Sequence, residues 1–202
     1  MVPRMSARRL VLASASPARR RLLEQAGLSP EVVVSGVDED AIRAEDARTL
    51  ALALAEAKAG AVADGLDVDA LVVGCDSLLA LDDEVLGKPA TAAEAADRWR
   101  RMRGREAVLL TGHAVVDTAD GRWARGVAAT TVRFGCPTDA EIDAYVASGE
   151  PLAVAGAFTL DGRSAPFVDG VDGDPGNVIG LSLPLLRALL HELDVEIVDL
   201  WS

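Results

Sequence analysis

Phosphate chemistry is the chemistry this chain is best equipped for, and four groups of residues suggest it. Twenty residues are basic and only two of them, Lys58 and Lys88, are lysines; they flank the run VVGCDS that contains Asp76. An ammonium is a compact point charge that meets a phosphate oxygen without the planar fork of arginine, so a polyanion site can require it. Asp76 interrupts an apolar run from Val68 to Ala80, and a carboxylate in such surroundings is costly unless paired or bound to a cation. Asp38, Glu39 and Asp40 follow one another in VDED. Carboxylates of this kind are ligands for Mg²⁺, which typically takes one or two together with substrate phosphates, the arrangement expected where water attacks a phosphoryl group. Ser14-Ala15-Ser16-Pro17 places hydroxyls and free N–H groups at a helix start, where the helix dipole favours an anion.

Each group also has a plain structural reading. The lysines can survive by drift, VDED fits a solvated turn, and Ser16 caps the helix whatever else it does. No GxxxxGK[ST] occurs, so a phosphate site here is not a Walker loop. The Asp172-Gly173-Asp174 loop lacks the glutamate that completes a calcium loop. His113 follows a strand and His191 ends a helix, and both read as structural.

The elements that must position these residues follow from pattern. A buried strand is predicted over Arg9 to Ala13, then a helix with Pro17 at its first position and Gly27 after its last turn. A second strand is predicted at Glu31 to Ser35, a long helix over Ala47 to Val62, and a strand from Val68 to Ala80. Thr91-x-x-Glu94 and Thr138-x-x-Glu141 read as capping boxes for helices ending at Met102 and near Gly149. Between them Ala107 to Val116 and Trp123 to Phe134, joined at Asp120-Gly121, read as a hairpin. The last third predicts short strands at Gly156 to Leu160 and Ala165 to Val171, a Gly/Asp/Pro loop, a helix at Leu183 to Leu193 and a strand at Glu196 to Leu200. Without repeats or linkers, residues 1–202 read as one mixed α/β domain.

Composition excludes several roles. With 32 acidic against 20 basic side chains the formal charge is −12, which disfavours a nucleic acid polymer because phosphate neutralisation needs a basic footprint. A single nucleotide stays possible. No segment reaches the roughly 18–20 apolar residues of a membrane span, and the apolar run after the first arginines is too short and too soon charged for a secretory signal. Cys75 and Cys136 have no metal or framework spacing, which fits a reduced cytosolic protein. Aromatics make up 3%, so the core is expected to be mainly Val, Leu, Ala and Ile.

Taken together, LVLASASPARRRLL, VDED, LAEAKA, VVGCDSLLALDDEVLGKP, RMRGREAVLLTGHAVV, EIDAYVASGEPLAVAGAF and GNVIGLSLPLL resemble the Maf family of nucleoside triphosphate pyrophosphatases across essentially the whole chain. The resemblance implies an elongated mixed sheet with flanking helices and two lobes around a cleft, related to inosine triphosphatases. It implies metal-dependent hydrolysis of a nucleoside triphosphate to monophosphate and pyrophosphate, with Mg²⁺ or Mn²⁺, by a cytosolic homodimer that cleans the nucleotide pool. Asp76 falls on the family's proton acceptor and metal-associated carboxylate, and Glu39 on its second acidic position. Lys58 and Lys88 fall on its two lysines, Ser14 on its phosphate-contacting serine and Arg19 on the second arginine of its SPRR motif. Asn177, in the loop before VIGLSLP, reads as a loop-fixing residue. The rival enzyme reading is hydrolysis at the terminal phosphate; the non-enzyme rival is a nucleotide-binding regulator of septum formation.

Three positions depart from the branch that acts on dTTP and UTP. Where it has arginine, threonine and glutamine, this chain has Ala18, Ser77 and Asp161; the branch acting on 7-methylguanosine triphosphate has tryptophan at the first and glutamate at the last. An aspartate offers a base only acceptors, whereas glutamine offers donor and acceptor. Asp161 is expected to disfavour uracil and thymine and to favour edges rich in N–H donors, and Ala18 leaves more room beside the base, so the expectation is weaker selectivity than in the dTTP/UTP branch, shifted toward guanine-like or cytosine nucleotides.

Overall fold

The computed structural model describes residues 8–82 and 84–202; residues 1–7, which open the stretch read above against a secretory signal, lie outside them. The chain order is β1 (Arg9–Leu12), α1 (Pro17–Gln25), β2 (Glu31–Val32), α2 (Ala47–Ala63), β3 (Ala70–Leu81), β4 (Glu84–Leu86), α3 (Ala92–Met102), β5 (Glu106–Asp117), β6 (Arg122–Phe134), α4 (Asp139–Ala147), β7 (Val168–Asp172), α5 (Pro175–Ile179) and α6 (Leu183–Glu192). The strands form one sheet in the order β2-β1-β3-β5-β6-β7, with β4 also on β3. The mixed α/β class predicted from the pattern is the class observed.

Strand β3 is the spine. On one side it pairs along nearly its whole length with β5, antiparallel from Leu71 to Ala80. On the other side β1 pairs only with Ala70 to Val73, in parallel, and β4 only with Leu79 to Leu81, antiparallel. Residues 74–78 therefore have no strand beside them on that edge among the described residues, and Asp76 sits at the middle of the gap.

Two lobes grow from the two ends of this spine. In the first, the alternating pleat of β3 sends Leu71, Val73 and Cys75 toward α1 and α6 and Val72 toward α2. Burial of Cys75 pushes its thiol up to about 11, and with Cys136 also free no disulfide forms. The second lobe departs from the expected aliphatic core. Five of the chain's seven aromatics gather there: Trp99, Phe134, Tyr145, Phe158 and Phe167, with edge-to-face ring centroids 5.0–6.3 Å apart. Trp99 is fully buried and its Nε1 donates to the Ala157 carbonyl at 2.8 Å, which satisfies the one polar atom such a ring carries into a core. Rare aromatics suffice when they are concentrated.

Helix α2 lies flush on the sheet. A Cβ added to Gly74 would come within 2.2 Å of the Ala55 carbonyl oxygen, and one added to Gly112 within 2.1 Å of that of Ala51. Ala51, Ala55 and Ala59 recur every four residues and form the contacting row. Small residues on both surfaces let helix and sheet backbones touch, and the next residue round the helix from Ala59 is Lys58.

Some local expectations are corrected. Gly156 to Leu160 and Glu196 to Leu200 are not strands: 3-10 turns stand at Ala155–Ala157 and Ile197–Leu200. Gly156 and Ala157 have φ of 68° and 61°, left-handed backbone that a strand cannot carry, and the C-terminal segment makes only an isolated bridge, Leu28 to Trp201. The second strand is only Glu31–Val32, and the Gly/Asp/Pro loop coils into α5, with Asp174 capping it and Pro175 at its start. The box at Thr138 and Glu141 closes in both directions; at Thr91 the hydroxyl accepts from Glu94 N, but the Glu94 carboxylate reaches Ala90 N.

Gly112→Ala should destabilise the fold by roughly 1–3 kcal/mol, the usual cost of overpacking, because the obstacle is helix backbone. Urea unfolding of parent and variant measures this, and an unchanged midpoint would mean that α2 does not rest on the sheet as described.

Candidate active site

The site is assembled at the gap in β3. Asp76 projects from the α2 face of the strand and is 7% exposed; Lys58, one residue before the Ala59 contact, is 8% exposed. Their charged groups meet, Nζ to Oδ1, at 2.6 Å. The same ammonium is 2.7 Å from Glu39 Oε1, so one buried cation is held between the two carboxylates the sequence singled out. Glu39 reaches it from a 3-10 turn at Glu39–Ala41, which Asp38 caps through Asp40 N. VDED thus divides its labour: Asp38 holds the turn and Glu39 enters the site. Burial pushes the Glu39 carboxyl up, but the hydrogen bond and charge of Lys58, with the charges of Lys88 and Arg19, outweigh it and hold the group below the ordinary carboxylate value.

The first helix supplies the second wall. Ser16 caps it, its Oγ accepting from Arg19 N at 3.4 Å. Ser14 Oγ accepts from Ser16 N at 3.2 Å and from Arg19 Nη1 at 3.1 Å. Arg19, a buried arginine, also donates from Nε to the Gly180 carbonyl at 2.8 Å and from Nη2 to Ser77 Oγ at 3.1 Å. Three of its five N–H groups are thereby spent on the protein and two remain. Ser77 continues to Thr111 Oγ1 at 3.0 Å, and Thr111 to the Asn177 carbonyl at 3.1 Å. Asn177 is fully buried, its side-chain amide donating to Leu109 O and Thr130 Oγ1, which is the loop-fixing part read for it.

Lys88 stands on the opposite lip, exposed, between Gly87 and a buried Pro89. Gly87 is pinned there, its carbonyl accepting from Arg98 Nη1 at 2.6 Å and from Gly156 N at 3.0 Å. These walls enclose a cleft of about 860 Å³ lined by Asp76, Glu39, Lys58, Lys88, Ser14 and Arg19, and also by Ala18, Ser77 and Asp161. All nine residues chosen from sequence are in one cleft. Their contacts differ, however: Asp161 is paired with Arg21, at 3.1 Å. Thr111, Gly180 and Arg21 were missed. Thr111 becomes visible only through strand register, lying opposite Ser77, and the contacts of Arg19 with Gly180 and of Arg21 with Asp161 each span more than a hundred residues.

A family model described as Maf-like protein matches residues 9–193. The chain belongs to the Maf family. Among curated relatives, the nucleoside triphosphate pyrophosphatase of Streptomyces coelicolor is 67% identical over 96% of this chain and 95% of its own length. Proteins of the same name from Streptomyces avermitilis, with the same coverage, and Thermosynechococcus vestitus, covering 94% of this chain and 96% of its own, are 66% and 53% identical. Among solved structures, the nucleoside-triphosphatase / dITP/XTP pyrophosphatase of Mycobacterium abscessus is a distant likeness, 19% identical over 62% of this chain and 72% of its own, with a TM-score of 0.39.

Among the described residues no group of three or more His, Cys, Asp or Glu gathers in a way that could hold a metal alone. Asp76 and Glu39 nevertheless fit a hard divalent ion that draws its remaining ligands from phosphate oxygens and water, since both carboxylates already converge on one cation. No described helix is long and apolar enough to cross a membrane.

His113 is structural. Fully buried, its Nδ1 lies 3.0 Å from the Thr111 carbonyl and its Nε2 accepts from Ser182 N at 2.9 Å, so the ring is neutral with its proton on Nδ1 and ties α6 to β5. Burial lowers its pKa from 6.5 to about 4. At pH 7 the ring is neutral folded and unfolded; as pH falls below about 6.5 the unfolded chain gains a proton the folded one refuses. Stability should fall by on the order of 3 kcal/mol between about pH 6.5 and 4 from this group. Unfolding midpoints across that window should slope less steeply for His113→Gln than for the parent, and equal slopes would refute the assignment.

Proposed function

We propose that the chain hydrolyses a nucleoside triphosphate to the monophosphate and pyrophosphate. The observation that carries the reading is the Lys58 ammonium held between Asp76 and Glu39 in a cleft whose walls bring Arg19, Lys88 and Ser14 to the same space. High identity to relatives named nucleoside triphosphate pyrophosphatase supports it. Asp76 accepts a proton from the water whose oxygen attacks the α-phosphorus; the bond to the bridging oxygen breaks and pyrophosphate departs. Lys58, Lys88 and the two free N–H groups of Arg19 neutralise the charge on the phosphate oxygens, the largest contribution in phosphoryl chemistry. Ser14 and Gly180 hold the Arg19 guanidinium in place, so that binding does not have to order it. A divalent ion such as Mg²⁺ or Mn²⁺, held by Asp76 and Glu39, would supply further charge neutralisation. The reading extends to a cytosolic homodimer that clears unwanted nucleotides, which family likeness suggests.

Asp76→Asn should abolish pyrophosphate release while the fold survives, because Glu39 still pairs with the buried Lys58 and no charge is stranded. Pyrophosphate and orthophosphate assays on both proteins, with unfolding midpoints alongside, test this; orthophosphate with a nucleoside diphosphate as products would redirect the reading to the terminal phosphate. Excess EDTA should stop turnover.

Lys58→Arg should not be a conservative change. The ammonium makes two contacts of 2.6 and 2.7 Å at a buried point, and the wider planar guanidinium cannot occupy it without displacing one carboxylate. A fall in kcat on the order of a hundredfold is expected, and wild-type kinetics would return the lysine to a structural role.

A further inference from the structure

The rim of the cleft carries a contact that hydrolysis does not need. Arg21 donates from Nη2 to Asp161 Oδ2 at 3.1 Å, and both side chains line the cleft. They belong to opposite lips. Arg21 is on α1, two residues past Arg19 and so about 200° further round the helix; with Arg19 turned inward to Ser14 and Ser77, Arg21 is left at the opening. Asp161 is on the loop after the 3-10 turn at Ala155–Ala157. The two side chains are 56% and 36% exposed, and an ion pair in that setting contributes little to folding.

The loop is nonetheless held firmly. Glu150 Oε1 accepts from Thr159 Oγ1 at 2.7 Å, from Arg163 N at 3.0 Å and from the Tyr145 hydroxyl at 3.3 Å, so Asp161 is bracketed by two residues fixed to one carboxylate. Beyond their mutual contact, neither the Arg21 nor the Asp161 side chain makes a hydrogen bond among the described residues. Unused capacity remains on both: N–H groups on the guanidinium and lone pairs on the carboxylate. A preorganised donor and acceptor, adjacent and unsatisfied at the mouth of a cleft, form a recognition element.

We propose that Arg21 and Asp161 together form the base-reading contact, selecting bases that present an N–H next to a carbonyl oxygen. The inference rests on the reading of the site as a nucleoside triphosphate pyrophosphatase. A lone carboxylate offers only acceptors and repels a carbonyl, which is why Asp161 by itself predicted discrimination against uracil and thymine. Arg21 supplies the missing donor, and the expectation reverses. Uracil and thymine, with N3–H between two carbonyls, fit the pair, as does guanine with N1–H beside O6. Without Arg21 the carboxylate can still take guanine's N1–H and amino group, but it faces uracil's carbonyl uncompensated.

The test is the ratio of kcat/KM for UTP and dTTP to that for GTP, read by pyrophosphate release, in the parent, Arg21→Met and Arg21→Met/Asp161→Gln. Arg21→Met should lower the ratio about tenfold or more, the scale of a lost charge-assisted hydrogen bond. The double variant should recover it, because one glutamine amide carries both donor and acceptor. A ratio unchanged within about twofold, or equal losses on all three substrates, overturns the pair as a base reader, as does a parent that uses GTP and excludes both UTP and dTTP. Equilibrium binding of UMP and GMP to the same proteins reads the ratio without turnover. If the parent releases no pyrophosphate, a shifted UMP-to-GMP ratio in Arg21→Met keeps the base contact and discards hydrolysis, and an unshifted one discards both.

Discussion

The contact on which the structure depends is backbone against backbone, where α2 rests on β3 and β5. Gly74 and Gly112 offer no side chain, and the alanine row of α2 offers only methyl groups. Helix and sheet therefore approach more closely than ordinary side chains allow, and the approach fixes the height of Lys58 above the strand. Asp76 lies opposite Gly112 in the sheet. The ammonium and the carboxylate meet because the residues around them are small.

That placement explains how a chain with so few lysines keeps one almost out of water. An unpaired ammonium at such a position is prohibitively costly, and a single buried pair roughly breaks even. Here Lys58 has two partners, and one of them, Glu39, is on a half-exposed turn. An incoming polyanion can compete for the ammonium by displacing the more exposed partner while Asp76 stays. The gap in β3 gives that ligand its entry: β1 ends before it and β4 begins after it, so the edge beside Asp76 and Ser77 is open to the cleft.

The same gap divides the core. One lobe is aliphatic, as the composition required, and the other is built around Trp99 and its aromatic neighbours. The second lobe presents Lys88 through the pinned Gly87 carbonyl and Asp161 through the loop tied to Glu150. Each lobe therefore contributes cations and acids to one space, and neither holds the full set.

The elements that sequence alone determined are those with strong local periodicity or caps: β1, α1, α2, the β5–β6 hairpin, α3, α4 and α6 stand close to where pattern put them. Asp76 was legible because an aspartate in an apolar run demands a partner, and the two lysines because their type is rare. The segments at Gly156 and Glu196 look like strands in sequence but are 3-10 turns, because a short apolar run does not encode its backbone: Gly156 and Ala157 settle in left-handed conformation. What tertiary structure decided was who meets whom. Whether Asp161 stands as a bare acceptor or as half of a pair with Arg21 depends on a contact across 140 residues of chain, and no local propensity encodes it. Likewise the sharing of Lys58 between Asp76 and Glu39 follows from the depth at which a glycine and an alanine let helix and sheet settle, a packing distance that appears only once both surfaces are folded.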